Sequence, residues 1–237
     1  MNKRILHVIT NMAHYDDLSH PTSLWLSELT HAWHVFEEHG FKQSIVSPTG
    51  GLSPLEPRSL KFLNYEKTAK AWRADPARMS LLENTARPDQ ITSADFDAIY
   101  FIGGHGVMYD FPDSEGLQQI TQEIFERGGV VSSVCHGYCA LLHTKLSDGS
   151  YLVADRKITG FTWREEVLAC VNKLVPYNAE EEVKKRGAHY QSAKLPFVSY
   201  TEVDGNLVTG QNPGSAKETA SKVVTVLSQL QRESLPC

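Results

Sequence analysis

Apolar positions along this chain follow two rhythms, and the two alternate. Short β-rich runs, "RILHVIT" (residues 4–10), "FKQSIVSP", "FDAIYFIGG" (96–104) and "GVVSSV", predict strands. Between them lie stretches with helical spacing. "PTSLWLSELTHAWHVFEEHG" carries an apolar stripe and ends on Gly40, a residue suited to a helix C-cap. Residues 58–84 predict one or two exposed helices, interrupted near Asp75-Pro76, and "DSEGLQQITQEIFERGG" predicts a helix from near Asp113. "RKITGF" predicts a short strand; "TWREEVLAC" and "AEEEVKKRGAHY" are helical in pattern. "VSYTEVDGNLVTG" predicts a hairpin turning at Asp204-Gly205, and a final helix starts near Pro213 and continues to the region of Gln231.

Strands alternating with helices imply an α/β fold: a mostly parallel sheet with helices on both faces and a small antiparallel hairpin. No repeat, linker or composition break divides the chain, so a single domain over residues 1–237 is expected. Ligands of such sheets bind beyond the carboxyl ends of the strands. That rule puts "GGHG" (103–106) and "CHG" (135–137) on one rim.

Composition narrows the function classes. The formal net charge is −5 and no long basic run occurs, which argues against nucleic acid or an anionic membrane as partner. No apolar run approaches a membrane span, and "MNKRILHVIT" has too short an apolar stretch for a signal peptide. The four cysteines, at 135, 139, 170 and 237, lack a secreted-framework spacing. Free thiols in a reducing cytoplasm are expected, with Cys170 and Cys237 structural or incidental.

The chemistry concentrates in "VVSSVCHGYCALL". Ser133-Val134-Cys135-His136-Gly137 has the form small–x–nucleophile–x–Gly. A strand that turns sharply into a helix needs small neighbours two positions either side of the turning residue, and the turn leaves that side chain exposed at the strand end. The N–H groups of the following helix favour thiolate. A buried core cysteine is the commoner fate of a free thiol, but the elbow spacing favours a nucleophile. Cys135 and Cys139, with His136 and His143 nearby, raise a metal alternative. Neither C-x-x-C nor H-E-x-x-H is present, so no metal is expected and Cys139 reads as a core residue behind the elbow.

Three other features bear on the site. Gly103, Gly104 and Gly106 do not complete a dinucleotide or P-loop motif; they suit a tight turn, or backbone N–H groups approaching a ligand oxyanion. Glu28 falls on or beside the stripe of Trp25, Leu29, Ala32 and Phe36. It either bends out to water or is a carboxyl with a raised pKa pointed at the thiol. In "FTWREE", Thr162 and Glu165 form a capping box, which leaves Glu166 as a solvated side chain or a partner for His136.

"FIGGHGVMYDFP", "GGVVSSVCHG", "KITGFTWREE" and "NLVTGQNPGSA" together resemble the ThiJ/PfpI superfamily, relatives of the class I glutamine amidotransferase fold. Within it the chain resembles the glyoxalase III/stress-chaperone branch, over nearly its whole length. The resemblance implies a flavodoxin-like three-layer sandwich. It implies Cys135 as nucleophile, His136 as its acid/base, Glu166 as the acidic third member and Glu28 as hydrogen-bond partner of the thiol. Gly104, His105 and the N–H of His136 would form the oxyanion and substrate site. The implied activity is cofactor-independent conversion of methylglyoxal, a 2-oxoaldehyde, to D-lactate through a hemithioacetal, in a homodimer. A redox-sensing stress chaperone with an oxidisable Cys135, or a cysteine amidase or peptidase, are the alternatives; no downstream His-x-Glu pair completes an amidotransferase triad. Two departures from the family pattern stand out. Tyr138 follows Cys-His-Gly, which predicts a narrower pocket, and "MAHYDDLSHPTSLW" lacks a glycine-containing entry loop.

Overall fold

The structure is a computed structural model and describes residues 3–61 and 66–233; Cys237 lies outside the described residues. Strands β1 (Arg4–Val8), β2 (Lys42–Val46), β3 (Ala98–Phe101) and β4 (Val130–Val134) alternate with α1 (Leu26–Glu38), the pair α2 (Lys67–Ala74) and α3 (Pro76–Glu83), and the pair α4 (Val107–Asp110) and α5 (Glu115–Glu126). After β4 come β5 (Lys157–Ile158), α6 (Trp163–Leu168), α7 (Ala179–Lys185), β6 (His189–Tyr190), the hairpin β7 (Thr201–Asp204) and β8 (Leu207–Gly210), and α8 (Ala216–Glu233).

One six-stranded sheet runs in the order β2-β1-β3-β4-β8-β7. All its neighbours are parallel except β7, which closes the edge antiparallel to β8. Side chains alternate across it with period two. Ile5, Tyr100, Val130 and Val134 join Leu29, Phe36, Val223 and Leu227 of α1 and α8 on one face. Leu6, Ile99, Phe101 and Val131 join Leu117, Ile120 and Ile124 of α5 on the other. The result is a three-layer α/β sandwich. The order doubles back at β1 and β3, the switch point where such sheets open a crevice at their carboxyl ends.

Several boundaries differ from the periodicity. Helix α1 starts at Leu26, not at Pro21. The preceding residues stay extended because Leu24 N–H bonds to the Pro54 carbonyl and Trp25 N–H to that of Gly103. Residues 67–83 do form two helices, with the Asp75 side chain accepting from Ala77 N–H and Arg78 N–H at the start of α3. They are not simply exposed: Ala69, Trp72 and Leu82 enter the core. In "AEEEVKKRGAHY" the helix ends at Lys185 and the chain turns at Gly187, whose φ is +86°. His189 N–H then bonds to the Arg156 carbonyl, and β6 pairs with β5 in a separate two-stranded parallel sheet. No described helix is long and apolar enough to cross a membrane.

Candidate active site

Cys135 directly follows β4 with φ +57°, in the left-handed region. A non-glycine residue there costs on the order of 1–3 kcal/mol and persists only where its surroundings enforce it. The enforcement is visible at Gly137, where any Cβ would overlap the Phe101 carbonyl. A seven-residue 3-10 helix, Cys135–Leu141, follows the turn in place of a regular α-helix. The bend separates the two sulfurs. Cys135 belongs to the core layer shared with α1 and α8, and Cys139 to the layer beneath α5. Burial pushes the Cys139 thiol up to about 12, and His143 pairs at the surface with Asp113, so the two sulfurs and His143 do not converge on one point.

His136 lies beside the thiol, its Nδ1 3.2 Å from Cys135 Sγ. Its Nε2 is 2.6 Å from Glu166 Oε1. Glu166 comes from α6, whose start is set by the predicted capping box of Thr162 and Glu165. Burial would raise the Glu166 pKa, but the charge of His136 and N–H groups from His105 and His136 hold it well below the usual carboxylate range. Glu166 is thus an ionised acceptor, and His136 Nε2 carries the proton between them.

Glu28 is fully buried on α1 and does not bend out to water. Its Oε2 accepts from Gly103 N–H at 2.8 Å. Its Oε1 makes no hydrogen bond of ordinary length and angle to any described residue. Burial pushes Glu28 up to about 8, against the Gly103 N–H and the thiol, so it is protonated at neutral pH. Burial first, and the charge of Glu28 second, push the Cys135 thiol well above its ordinary value. A protonated Glu28 removes that second contribution and leaves a carboxyl O–H able to donate to sulfur.

His105 shares the Glu166 carboxylate with His136. Its Nε2 is 3.0 Å from Glu166 Oε2, and its ring centroid is 4.2 Å from that of His136. Its Nδ1 is 3.0 Å from Nη2 of Arg58. Arg58 also forks onto Glu56, through Nε to Oε1 and Nη2 to Oε2, both at 2.9 Å, and reaches the Tyr15 hydroxyl at 2.8 Å. Burial, then the charge of His136, pushes His105 down to about 4, so its imidazole is neutral. His105, His136 and Glu166 present atoms of metal-ligand type within 4.8 Å of one another. A cation there would have to displace the bridging protons with a guanidinium already on the far nitrogen of His105; the proton-bridged arrangement fits the donors better.

These groups border a cavity of about 530 Å³ whose walls include Trp25, Arg58, Gly104, His136, Phe161 and Phe197. That is within the ordinary range for a small-molecule site. Gly104 has φ +110°, and a Cβ on it would overlap the Ser23 carbonyl, so only glycine lets this loop reach the cavity floor. Tyr138 does not narrow the pocket. It is wholly buried under the opposite layer, its ring filling the space that Gly160 leaves open. Neither Trp163 nor Arg164 borders the cavity, and Arg164 donates to the Lys194 carbonyl.

Sequence reasoning missed Tyr15, Glu56 and Arg58. "SPLEPRSL" is a loop in pattern, and charges flanking a proline carry no signal of what they face. It also missed half the work of Glu165. Beyond capping α6, its Oε1 accepts from Phe197 N–H, Gln211 Nε2 and Asn212 Nδ2, tying two further segments to α6.

The DJ-1/PfpI family profile matches residues 24–226. The glutathione-independent glyoxalase HSP31 of Saccharomyces cerevisiae is 32% identical over 237 residues, covering 95% of this chain and 98% of that protein. Glyoxalase 3 of Candida albicans is 31% identical over 212 residues, covering 86% and 89%. Among solved structures, the Rapid Encystment Protein of Francisella tularensis superposes with a TM-score of 0.90 at 32% identity, covering 95% of this chain and 99% of that one. Glyoxalase III of Candida albicans superposes with a TM-score of 0.84 at 28% identity, covering 94% and 97%.

Proposed function

Because this chain belongs to the DJ-1/PfpI family, and its relatives include proteins named as glutathione-independent glyoxalases, we propose that it converts methylglyoxal to D-lactate without a cofactor. The observation that carries this reading is the Cys135–His136–Glu166 chain, with contacts of 3.2 Å and 2.6 Å at the edge of the cavity.

Cys135 Sγ attacks the aldehyde carbon while His136 Nδ1 takes the thiol proton. His136 returns that proton to the oxyanion, which backbone N–H groups near Gly104 and His136 stabilise, giving a neutral hemithioacetal. The neutral imidazole then removes the hydrogen of the former aldehyde carbon, giving an enediolate; the hemithioacetal hydroxyl proton passes to the neighbouring oxygen, and His136 delivers its proton to the neighbouring carbon, leaving a carbonyl at the sulfur-bearing carbon. One carbon is oxidised and the other reduced, so no external electron acceptor is needed. The product is a lactoyl thioester. Water cleaves it, releasing lactate and restoring the thiol. Glu166 holds the imidazole and stabilises its cationic form, and protonated Glu28 donates to sulfur while it carries negative charge.

The test is D-lactate release from methylglyoxal by the purified protein in the absence of glutathione, read with a stereospecific lactate assay. Wild type should produce D-lactate, and Cys135→Ala should reduce the rate to background. Full activity in Cys135→Ala, or L-lactate as product, would overturn the proposal. A peroxide-induced mass gain on Cys135 with no turnover would favour redox sensing instead.

A further inference from the structure

We propose that Arg58 is a positioning residue that acts through His105, fixing which nitrogen of His105 carries its proton and thereby how the Glu166 carboxylate that holds His136 is shared. The inference rests on the thiol–imidazole–carboxylate reading above and extends it.

A guanidinium has N–H donors and no acceptor. Arg58 Nη2 lies 3.0 Å from His105 Nδ1; one of its two N–H groups goes to Glu56 Oε2 and the other is shared between the Tyr15 hydroxyl and His105 Nδ1, and since the guanidinium nitrogen cannot accept, Nδ1 faces it with a lone pair. A neutral imidazole with a bare Nδ1 carries its proton on Nε2. That Nε2 is 3.0 Å from Glu166 Oε2, to which it donates. Glu166 therefore has one oxygen filled by His105 and the other by His136 Nε2 at 2.6 Å. With Nε2 of His136 committed as donor, its Nδ1 is left to exchange a proton with the thiol 3.2 Å away. The guanidinium sets the direction of Arg58→His105→Glu166, and the ionised carboxylate sets that of His136→Glu166.

Arg58 is itself held rigidly. Glu56 is wholly buried and chelates it, and Thr22 donates to Glu56 at 2.7 Å. Tyr15, from the segment between β1 and α1, bonds the same Nη2 at 2.8 Å. Burial would raise Glu56, but the N–H groups and charge of Arg58 keep it ionised. The charged and titratable groups facing His105 are thus Arg58, Tyr15, His136 and Glu166, with Glu56 one contact further out. Without Arg58, either His105 nitrogen could hold the proton, and half of the resulting states would aim a bare nitrogen at the Glu166 carboxylate.

Two measurements test this, and neither depends on D-lactate formation. First, ¹⁵N spectra of histidine-labelled wild type, with His105 assigned through His105→Gln, should show Nε2 protonated and Nδ1 bare at pH 7. A protonated Nδ1 would overturn the proposal, and this arm needs no altered Arg58. Second, Arg58→Met should mix the His105 tautomers and slow iodoacetamide alkylation of Cys135 by about tenfold to a hundredfold at pH 7, with a changed pH profile. Arg58→Lys, which can still donate to Nδ1, should recover part of the rate. Arg58→Met leaves buried Glu56 unpaired, so Arg58→Met/Glu56→Gln serves as the companion variant. Unchanged tautomer and alkylation profile in the double variant would sink the proposal. Correct tautomers without any D-lactate would refute the glyoxalase reading and leave this one standing.

Discussion

Replacing Glu28 by glutamine should make stability less dependent on pH. Burial raises Glu28 from about 4.5 to about 8. The folded protein therefore holds a proton that the unfolded chain releases. The stability this contributes is complete below about 4.5 and is lost as pH rises through about 8. Integrating between these values, wild type should lose roughly 3 kcal/mol from this group between about pH 5.5 and about pH 8.5. Glutamine keeps an oxygen for Gly103 N–H and has no proton to lose, so Glu28→Gln should not share that loss. For a domain of this size the difference amounts to roughly 6–12 °C in Tm. Asp110, pushed up to about 6 by burial, acts in the same direction but is common to both proteins and cancels. The assay is urea or thermal unfolding of both proteins at the two pH values. If the gap between them were the same at each pH, Glu28 would not be a buried, proton-holding carboxyl, and its role as donor to sulfur would fall with it.

Glu166→Gln should lower the rate of Cys135 alkylation at neutral pH by at least about tenfold while leaving the fold intact, because an amide cannot stabilise an imidazolium as a carboxylate does; equal rates would remove Glu166 from the relay. Glu165→Ala should cost about 3–5 kcal/mol in urea unfolding, since it orphans donors from Thr162, Phe197, Gln211 and Asn212 at one stroke; a loss under about 1 kcal/mol would show those donors to be solvated instead. Gly160→Ala should destabilise by more than about 2 kcal/mol because its Cβ overlaps the Tyr138 ring, whereas Tyr138→Phe, losing only a 3.3 Å bond to the Phe161 carbonyl, should cost about 1 kcal/mol and leave turnover unchanged. A turnover change in Tyr138→Phe would mean that this ring reaches the cavity after all.

The strands and the elbow were legible in the sequence because their causes are local. Val130–Val134 sets three valines around two small serines, and the small residues around Cys135 are demanded by a turn only a few residues long. The burial of Glu28 was half legible: its place on an apolar stripe forces a choice between snorkelling and desolvation, and only the neighbouring β3 end, supplying Gly103 N–H, decides it. The capping box at Thr162 and Glu165 was legible for the same reason, its partners being three residues apart. The second role of Glu165 was not, because its partners lie 32 to 47 residues away.

By itself, then, the sequence determined the α/β alternation, the position of the thiol, and the identity of the imidazole beside it. These depend on periodicity and on steric limits within a few bonds. The tertiary structure alone decided that Glu166 and not a solvated face meets His136, that His105 shares that carboxylate, and that Arg58 stands behind His105. Those contacts join segments 30, 61 and 47 residues apart. A hydrogen bond has direction only when both its atoms are in place, and only the converging carboxyl ends of parallel strands bring these atoms to one rim.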